Sequence, residues 1–193
     1  MIDTGRSKFI KYQWLLNILY SLSLIFPKKS LEYSWRLLDL CPGIVGVGFR
    51  YIIIKRLTSK CGHNIYVGPF VEVKNWGNIE IGDNVSIHNN CYIDGYGGLT
   101  IGDNTSIAHN SSILTFEHSW SNSDIPIKYN ALTKSQVLIE EDVWVGCGVR
   151  ILAGSNIETR SIVAAGAVIN SKVESQTIVG GVPAKKIKDI SDG

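Results

Sequence analysis

The sequence predicts a solenoid of short parallel strands, and three observations carry that prediction: a six-residue repeat, small residues at a fixed place within it, and insertions confined to every third step. From Cys61 to Glu174 the steps open on Cys61, Val67, Val73, Ile81, Ile87, Ile93, Ile101, Ile107, Ile113, Ile139, Val145, Ile151, Ile157, Val163 and Ile169. Every opening but the first is Ile or Val. The fifth residue of a step is mostly small or β-branched, as in Val85, Thr105, Ser111 and Ser161, and the exceptions Gly77, Gly97 and Glu117 all stand in a third step. A period of six matches neither the 3.6-residue helix nor the alternation of a half-exposed strand. Each coil can bury its aliphatics only against its neighbours.

Two extra residues follow the third step in the first two coils, Ile79-Glu80 and Leu99-Thr100, and twenty follow it in the third, Ser119 to Leu138. Three steps of eighteen residues in all then make one coil, giving five coils of triangular cross-section. Insertions at a corner leave the stacked core undisturbed. The expected class is mainly β, with residues 1–60 a helical extension, 61–193 the solenoid with inserted loop 119–138, and a short carboxy-terminal tail.

In the extension, helices are expected from Lys8 to Phe26 and from Ser30 to Leu40, separated by Pro27 and closed by Pro42-Gly43. Residues 13–26 are the most apolar stretch, with Lys8 and Lys11 before it and Lys28 and Lys29 after. Spanning a bilayer takes about 20 apolar residues, and this run is shorter and interrupted. A secretory leader is disfavoured, because Pro27-Lys28-Lys29 stands where a small-residue cleavage site belongs. Packing on the solenoid or on a neighbouring subunit is the favoured role, since apolar helix faces are usually core. The other reading is peripheral membrane contact through residues 8–40, with Trp14, Tyr20 and the lysines resting on an anionic surface.

A net charge of +2 with 19% charged residues, and no Lys/Arg run interleaved with aromatics, sets nucleic-acid binding aside. Cys41, Cys61, Cys91 and Cys147 form no CxxC pair, so neither a zinc knuckle nor a disulfide framework is suggested. A reducing cytoplasm, with the inner membrane face as an extension of it, is the expected location.

Chemistry is expected where the repeat breaks. His118 ends the third coil immediately before the inserted loop, and a corner roofed by a loop is where a solenoid can gather side chains on a ligand. His63, His88 and His109 sit inside regular steps as turn or surface residues. Asp94 or Glu117 is a candidate to orient His118, the alternative for each being an exposed carboxylate.

The repeat, the Asp142-Val-Trp144-Val-Gly146 step and the tail Gly180-Gly-Val-Pro-Ala-Lys185 together resemble the hexapeptide-repeat acyltransferases. Galactoside and maltose acetyltransferases and the O-acetyltransferases of surface polysaccharides are the most similar members. The resemblance implies a left-handed parallel β-helix, a homotrimer with sites shared between neighbouring solenoids, and acetyl-coenzyme A as co-substrate with no metal. It makes His118 the catalytic base, which takes a proton from an alcohol as the thioester is attacked. It places Trp144, Gly146, Cys147, Ala165, Asn170, Ser171 and Lys185 near the coenzyme, with the Cys147 N–H as oxyanion donor. Asn170-Ser171 stands where the family often has Thr-Lys. His88 and Asn90 fall at acceptor-binding positions, although His88 replaces an asparagine of galactoside-type members.

The implied activity is O-acetylation of a sugar hydroxyl in a bacterial O-antigen, capsule, exopolysaccharide or precursor. Within the fold, the alternatives are an antibiotic-inactivating acetyltransferase and an N-acetyltransferase of a nucleotide-linked amino sugar. Outside enzymes, the alternative is a structural solenoid. A zinc-dependent hydrase on the same solenoid would need three histidines around the metal, and no His-x4-His pair is present.

Overall fold

Each six-residue step folds into a strand of two or three residues and a turn, and in the computed structural model, which describes residues 5–192, the steps stack as a three-faced parallel solenoid. The first face is Lys60–Cys61, Ile79–Ile81, Leu99–Ile101, Val137–Ile139, Asn156–Ile157 and Lys172–Val173. The second is Tyr66–Val67, Ser86–Ile87, Ser106–Ile107, Trp144–Val145, Ile162–Val163 and Thr177–Gly180. The third is Glu72–Lys74, Tyr92–Asp94, Ser112–Leu114, Arg150–Ile151 and Val168–Ile169.

Register explains the repeat. Ile87 pairs with Ile107, Ile107 with Val145 and Val145 with Val163, and all four side chains are wholly buried. Removing such a side chain from water contributes about 1.5–3 kcal/mol, so one aliphatic per step is the main source of stability. Buried hydroxyls at the fifth position close turn carbonyls instead: Thr105 Oγ1 donates to Glu140 O at 3.0 Å, Ser111 Oγ to Gly146 O at 3.1 Å and Ser161 Oγ to Glu174 O at 2.9 Å. At the corner between the first and second faces the backbone is left-handed at Asn64, Asn84 and Asn104, a conformation asparagine tolerates. Their amides form a ladder at 2.9 and 3.0 Å.

The stack is longer than the repeat indicated. After five complete coils, the first and second faces appear a sixth time, and the chain then reverses into Lys185–Asp189, antiparallel to Thr177–Gly180. The aliphatic at this sixth turn, Val173, follows Ile169 by only four positions, so a strict period of six reads it as a fifth residue.

The amino-terminal segment caps the other end. It comprises α1 (Gly5–Ser23), α2 (Lys28–Ser34), a 3-10 turn (Trp35–Leu40) and α3 (Gly43–Leu57); the side chain of Lys8 lies outside the described residues. The expected helix from Ser30 to Leu40 is thus an α-helical turn followed by a tighter one, and α3 is additional. With Tyr51, Ile52, Ile53 and Ile54 all buried, α3 has no polar side to give it a readable period. It lies between α1 and the strands of the first coil.

A sheet edge exposes unpaired backbone groups, and the cap covers this one with side chains. Arg50, 2% exposed, donates from Nε to Val67 O and from Nη1 to Leu38 O, both at 2.8 Å. Trp35 Nε1 donates to Val71 O at 2.7 Å, and the Phe70 N–H donates to Asp39 Oδ1 at 2.6 Å. Trp35 also meets Trp76 edge to face, with centroids 5.0 Å apart. No described helix is long and apolar enough to cross a membrane.

Candidate active site

Where the third coil should turn the corner from the third face to the first, the chain instead leaves as a hairpin. Phe116–His118 runs antiparallel to Leu132–Lys134, pairing Phe116 with Lys134 and His118 with Leu132. The insertion therefore begins two residues before position 118, because Phe116-Glu117 carries no inward aliphatic to hold it on the stack. At the tip, Asn130 is buried; its Oδ1 accepts the Asn122 N–H at 3.0 Å and its Nδ2 donates to Asn122 O at 3.1 Å.

The foot of the hairpin is bonded to the coils on both sides. Ser135 N donates to Thr115 O at 3.0 Å, Thr115 Oγ1 donates to Asp94 O at 2.8 Å, and Gly97 N donates to Thr115 Oγ1 at 2.7 Å. Gly97 has to be glycine, because a Cβ there would run into Thr115 O and lie 2.8 Å from Ser135 N. Tyr96 anchors one side of the ribbon, with the Phe116 ring edge-on at 5.6 Å and Lys134 Nζ 3.8 Å above its centroid.

Strand alternation puts His118 on the same side of the ribbon as Phe116, and so on the side that looks onto Tyr96. His118 is exposed and makes no side-chain hydrogen bond among the described residues. Glu117, its neighbour along the strand, points to the opposite side. Asp94 is buried, and its carboxylate accepts Asn75 Nδ2 at 2.6 Å and the Tyr96 N–H at 3.0 Å, with Tyr92 Oη at 3.5 Å. Its partners are thus Tyr92 on the third face and, at the corner between the third and first faces, Asn75 and Tyr96, the residue whose ring meets the hairpin.

A second group of expected residues gathers at the corner between the second and third faces. Gly146 and Cys147 lie under Ala164 and Ala165 of the next coil, and a Cβ on Gly146 would stand 2.7 Å from Ala165 N and 2.8 Å from Val163 O. Glycine is required for the coils to approach this closely. Cys147 O accepts the Gly166 N–H at 2.9 Å, while the Cys147 N–H has no acceptor among the described residues and remains free to donate. Trp144, 57% exposed, stands on the adjoining second face.

His88 and Asn90 occupy the same corner two coils earlier, and His109 stands between them and Cys147. His109 is exposed in a turn, as expected of a turn or surface residue, and it stacks directly on the Cys147 step. Its place in the step matches that of Cys147, third from the opening Ile107 as Cys147 is third from Val145. The His88 ring lies 5.4 Å from that of Tyr66. Desolvation there, with the charge of His109 as the lesser cause, pushes the His88 imidazole below its ordinary pKa. In an NMR titration His88 is expected to protonate at a lower pH than a free histidine, and His109→Gln is expected to raise that midpoint; an unshifted midpoint would contradict the arrangement.

Asn170, Ser171 and Lys185 come together at the far end of the third face, lining a cavity of about 100 Å³ with Thr177, Ala184 and Lys186. The expected residues therefore fall at both ends of one face. Ala165 and Cys147 begin it, whereas Asn170, Ser171 and the His118 hairpin stand at its end. The strand Arg150–Ile151 separates the two corners. Among the described residues no three His, Cys, Asp or Glu side chains form a cluster able to hold a metal ion.

No family model matches the chain. It is 33% identical over 141 residues, 72% of this chain and 70% of the relative, to a Saccharomyces cerevisiae protein named as an acetyltransferase. It is 34% identical over 145 residues, 74% of this chain and 66% of the relative, to an Escherichia coli K12 protein named as a lipopolysaccharide biosynthesis O-acetyltransferase. Among solved structures, a hexapeptide-repeat acetyltransferase of Vibrio cholerae in complex with acetyl-coenzyme A superposes with a TM-score of 0.74 at 29% identity, covering 84% of this chain and 86% of that one. A galactoside acetyltransferase in complex with coenzyme A gives 0.74 at 26% identity, covering 86% and 80%. A relative matched at this identity over most of its length, and the same stacked coil in solved homologues, carry one conclusion: the chain belongs to the hexapeptide-repeat acetyltransferases.

Proposed function

We propose that this protein transfers acetyl from acetyl-coenzyme A to a sugar hydroxyl of a bacterial surface polysaccharide or its precursor, with His118 as general base. The observation that carries the reading is the exposed imidazole of His118, free of hydrogen bonds among the described residues, on a hairpin whose foot and Tyr96 contacts hold it at a corner. A neutral imidazole there accepts the hydroxyl proton as the oxygen bonds to the thioester carbon. The Cys147 N–H donates to the oxyanion that develops. Collapse breaks the carbon–sulfur bond, and the imidazolium returns its proton to the departing thiolate. The sugar acceptor is supported by the activities for which two similar proteins are named, one in lipopolysaccharide biosynthesis and one on a galactoside. The proposed place is the cytoplasm, where four free cysteines stay reduced.

The proposed assembly is a homotrimer in which the hairpin of one copy meets the Cys147 corner of the next. Its support is the separation of His118 and Cys147 to opposite ends of the third face, since transfer needs reacting atoms about 3–3.5 Å apart. A mixing experiment tests this. His118→Ala and Ala165→Trp are each expected to be nearly inactive alone, the second by blocking the coenzyme end, while dissociated and reassembled mixtures regain activity. Transfer would be read by mass spectrometry of glycans incubated with labelled acetyl-coenzyme A. Mixtures no more active than their components would overturn the shared site, and unlabelled glycans throughout would overturn the acceptor class.

A further inference from the structure

The amino-terminal cap presents far more apolar surface than its packing uses. Of the twenty-four large hydrophobic side chains exposed among the described residues, fifteen lie between Ile10 and Phe49. On α1, Phe9, Leu16 and Leu19 pack toward the core, while Ile10, Trp14, Ile18 and Leu22 follow one another at four-residue spacing on the outer side, each at least 50% exposed. Leu24, Ile25 and Phe26 extend the surface past the helix end, and Ile44, Val45 and Phe49 add exposed positions on α3. Isolated apolar residues on a surface are ordinary, but a contiguous patch marks an interaction site.

Charge decides what the patch meets. Residues 1–60 hold ten of the nineteen Lys and Arg and three of the seventeen Asp and Glu, so the cap carries +7 and the rest of the chain −5. Lys11 stands on α1 beside the stripe, and Lys28 and Lys29 directly follow Phe26. Asp39 is committed to the Phe70 N–H. A second copy docking patch to patch would bring two strongly positive caps together. An anionic bilayer satisfies both features at once, taking the apolar side chains among its acyl chains and the lysines at its phosphates. With 19 residues, α1 is about 28 Å long at 1.5 Å per residue, and it lies outside α3 with its stripe facing away from the solenoid.

We propose that the cap is a lipid-binding surface on which α1 lies in the plane of an anionic membrane, with Ile10, Trp14, Ile18 and Leu22 inserted and Lys11, Lys28 and Lys29 at the headgroups. The proposal does not rest on the acetyl-transfer reading. The full chain would be sedimented with vesicles of phosphatidylcholine alone and of phosphatidylcholine mixed with phosphatidylglycerol. Binding to the mixed vesicles is expected, weakening with salt. Trp14→Ser with Ile18→Ser, and separately Lys11, Lys28 and Lys29→Gln, are each expected to lower it about tenfold or more with unchanged circular dichroism, these positions lying outside the core. Absence of pelleting on mixed vesicles would overturn the proposal. So would binding indifferent to both sets of substitutions, or self-association abolished by the Trp14→Ser and Ile18→Ser pair in protein that ignores lipid.

Discussion

Replacing His118 by alanine is expected to lower kcat for acetyl transfer by about a thousandfold, within the 10²–10⁴ range that general base catalysis supplies. The alcohol then has to attack with its proton in place or lose it to water, whereas nothing in coenzyme binding is removed. KM for acetyl-coenzyme A is therefore expected to stay within about twofold, because the loss falls on an interaction made in the transition state. Thermal unfolding is expected to be unchanged, since the side chain is exposed and outside the stacked core. Steady-state kinetics with a sugar acceptor check the first two expectations and calorimetry the third. A variant that retained wild-type kcat would remove His118 as the base and leave the fold assignment standing.

The largest expected effect on stability belongs to Arg50. Its guanidinium closes two backbone carbonyls, Val67 O in the first coil and Leu38 O in the cap, from a position only 2% exposed. Desolvation lowers its pKa, opposed chiefly by the nearby Asp39 carboxylate, so the charge is held where water cannot follow. Arg50→Ala leaves Val67 O without its donor in a dry place, leaves Leu38 O with only the Cys41 N–H, and opens a cavity, at a cost of about 3 kcal/mol or more. For a chain of this size that corresponds to a fall in Tm of about 6–12 °C. Arg50→Lys is expected to recover little, because an ammonium cannot reproduce two bonds from a planar fork. A Tm within a degree of wild type for Arg50→Ala would show that the Arg50 bonds do not hold the cap, leaving that task to apolar contact and to the Trp35 and Asp39 bonds.

The parallel stack was legible because one physical constraint, burial against the next coil, acts on every sixth residue and nearly always selects Ile or Val. The end of the stack was not. Val173 and Val179 are buried at 4% and 5%, yet the shortened turn before Val173 takes both out of phase with the earlier openings. Helix α3 escaped for the opposite reason, since a segment apolar on all sides has no moment to detect. His118 could be singled out by its place at the break, but the Phe116–His118 strand under it is stabilised by Tyr96, Lys134 and Gly97, partners remote in sequence or beyond the insertion. That the Cys147 N–H and the His118 imidazole occupy different corners is a property of the triangular section, invisible to a one-dimensional period. His109 is the exposed turn residue its regular step predicts, and only stacking reveals that it shares an edge with His88 and Cys147.

The two ends of the prism are finished by unlike devices, a helical layer over the first coil and a strand reversed against Thr177–Gly180 at the last. Parallel coils with bare rims would offer each other ready-made templates, and identical molecules could then join head to tail into filaments of unlimited length. Breaking the parallel pattern at each end disfavours such joining, so the length of the prism stays that of one chain.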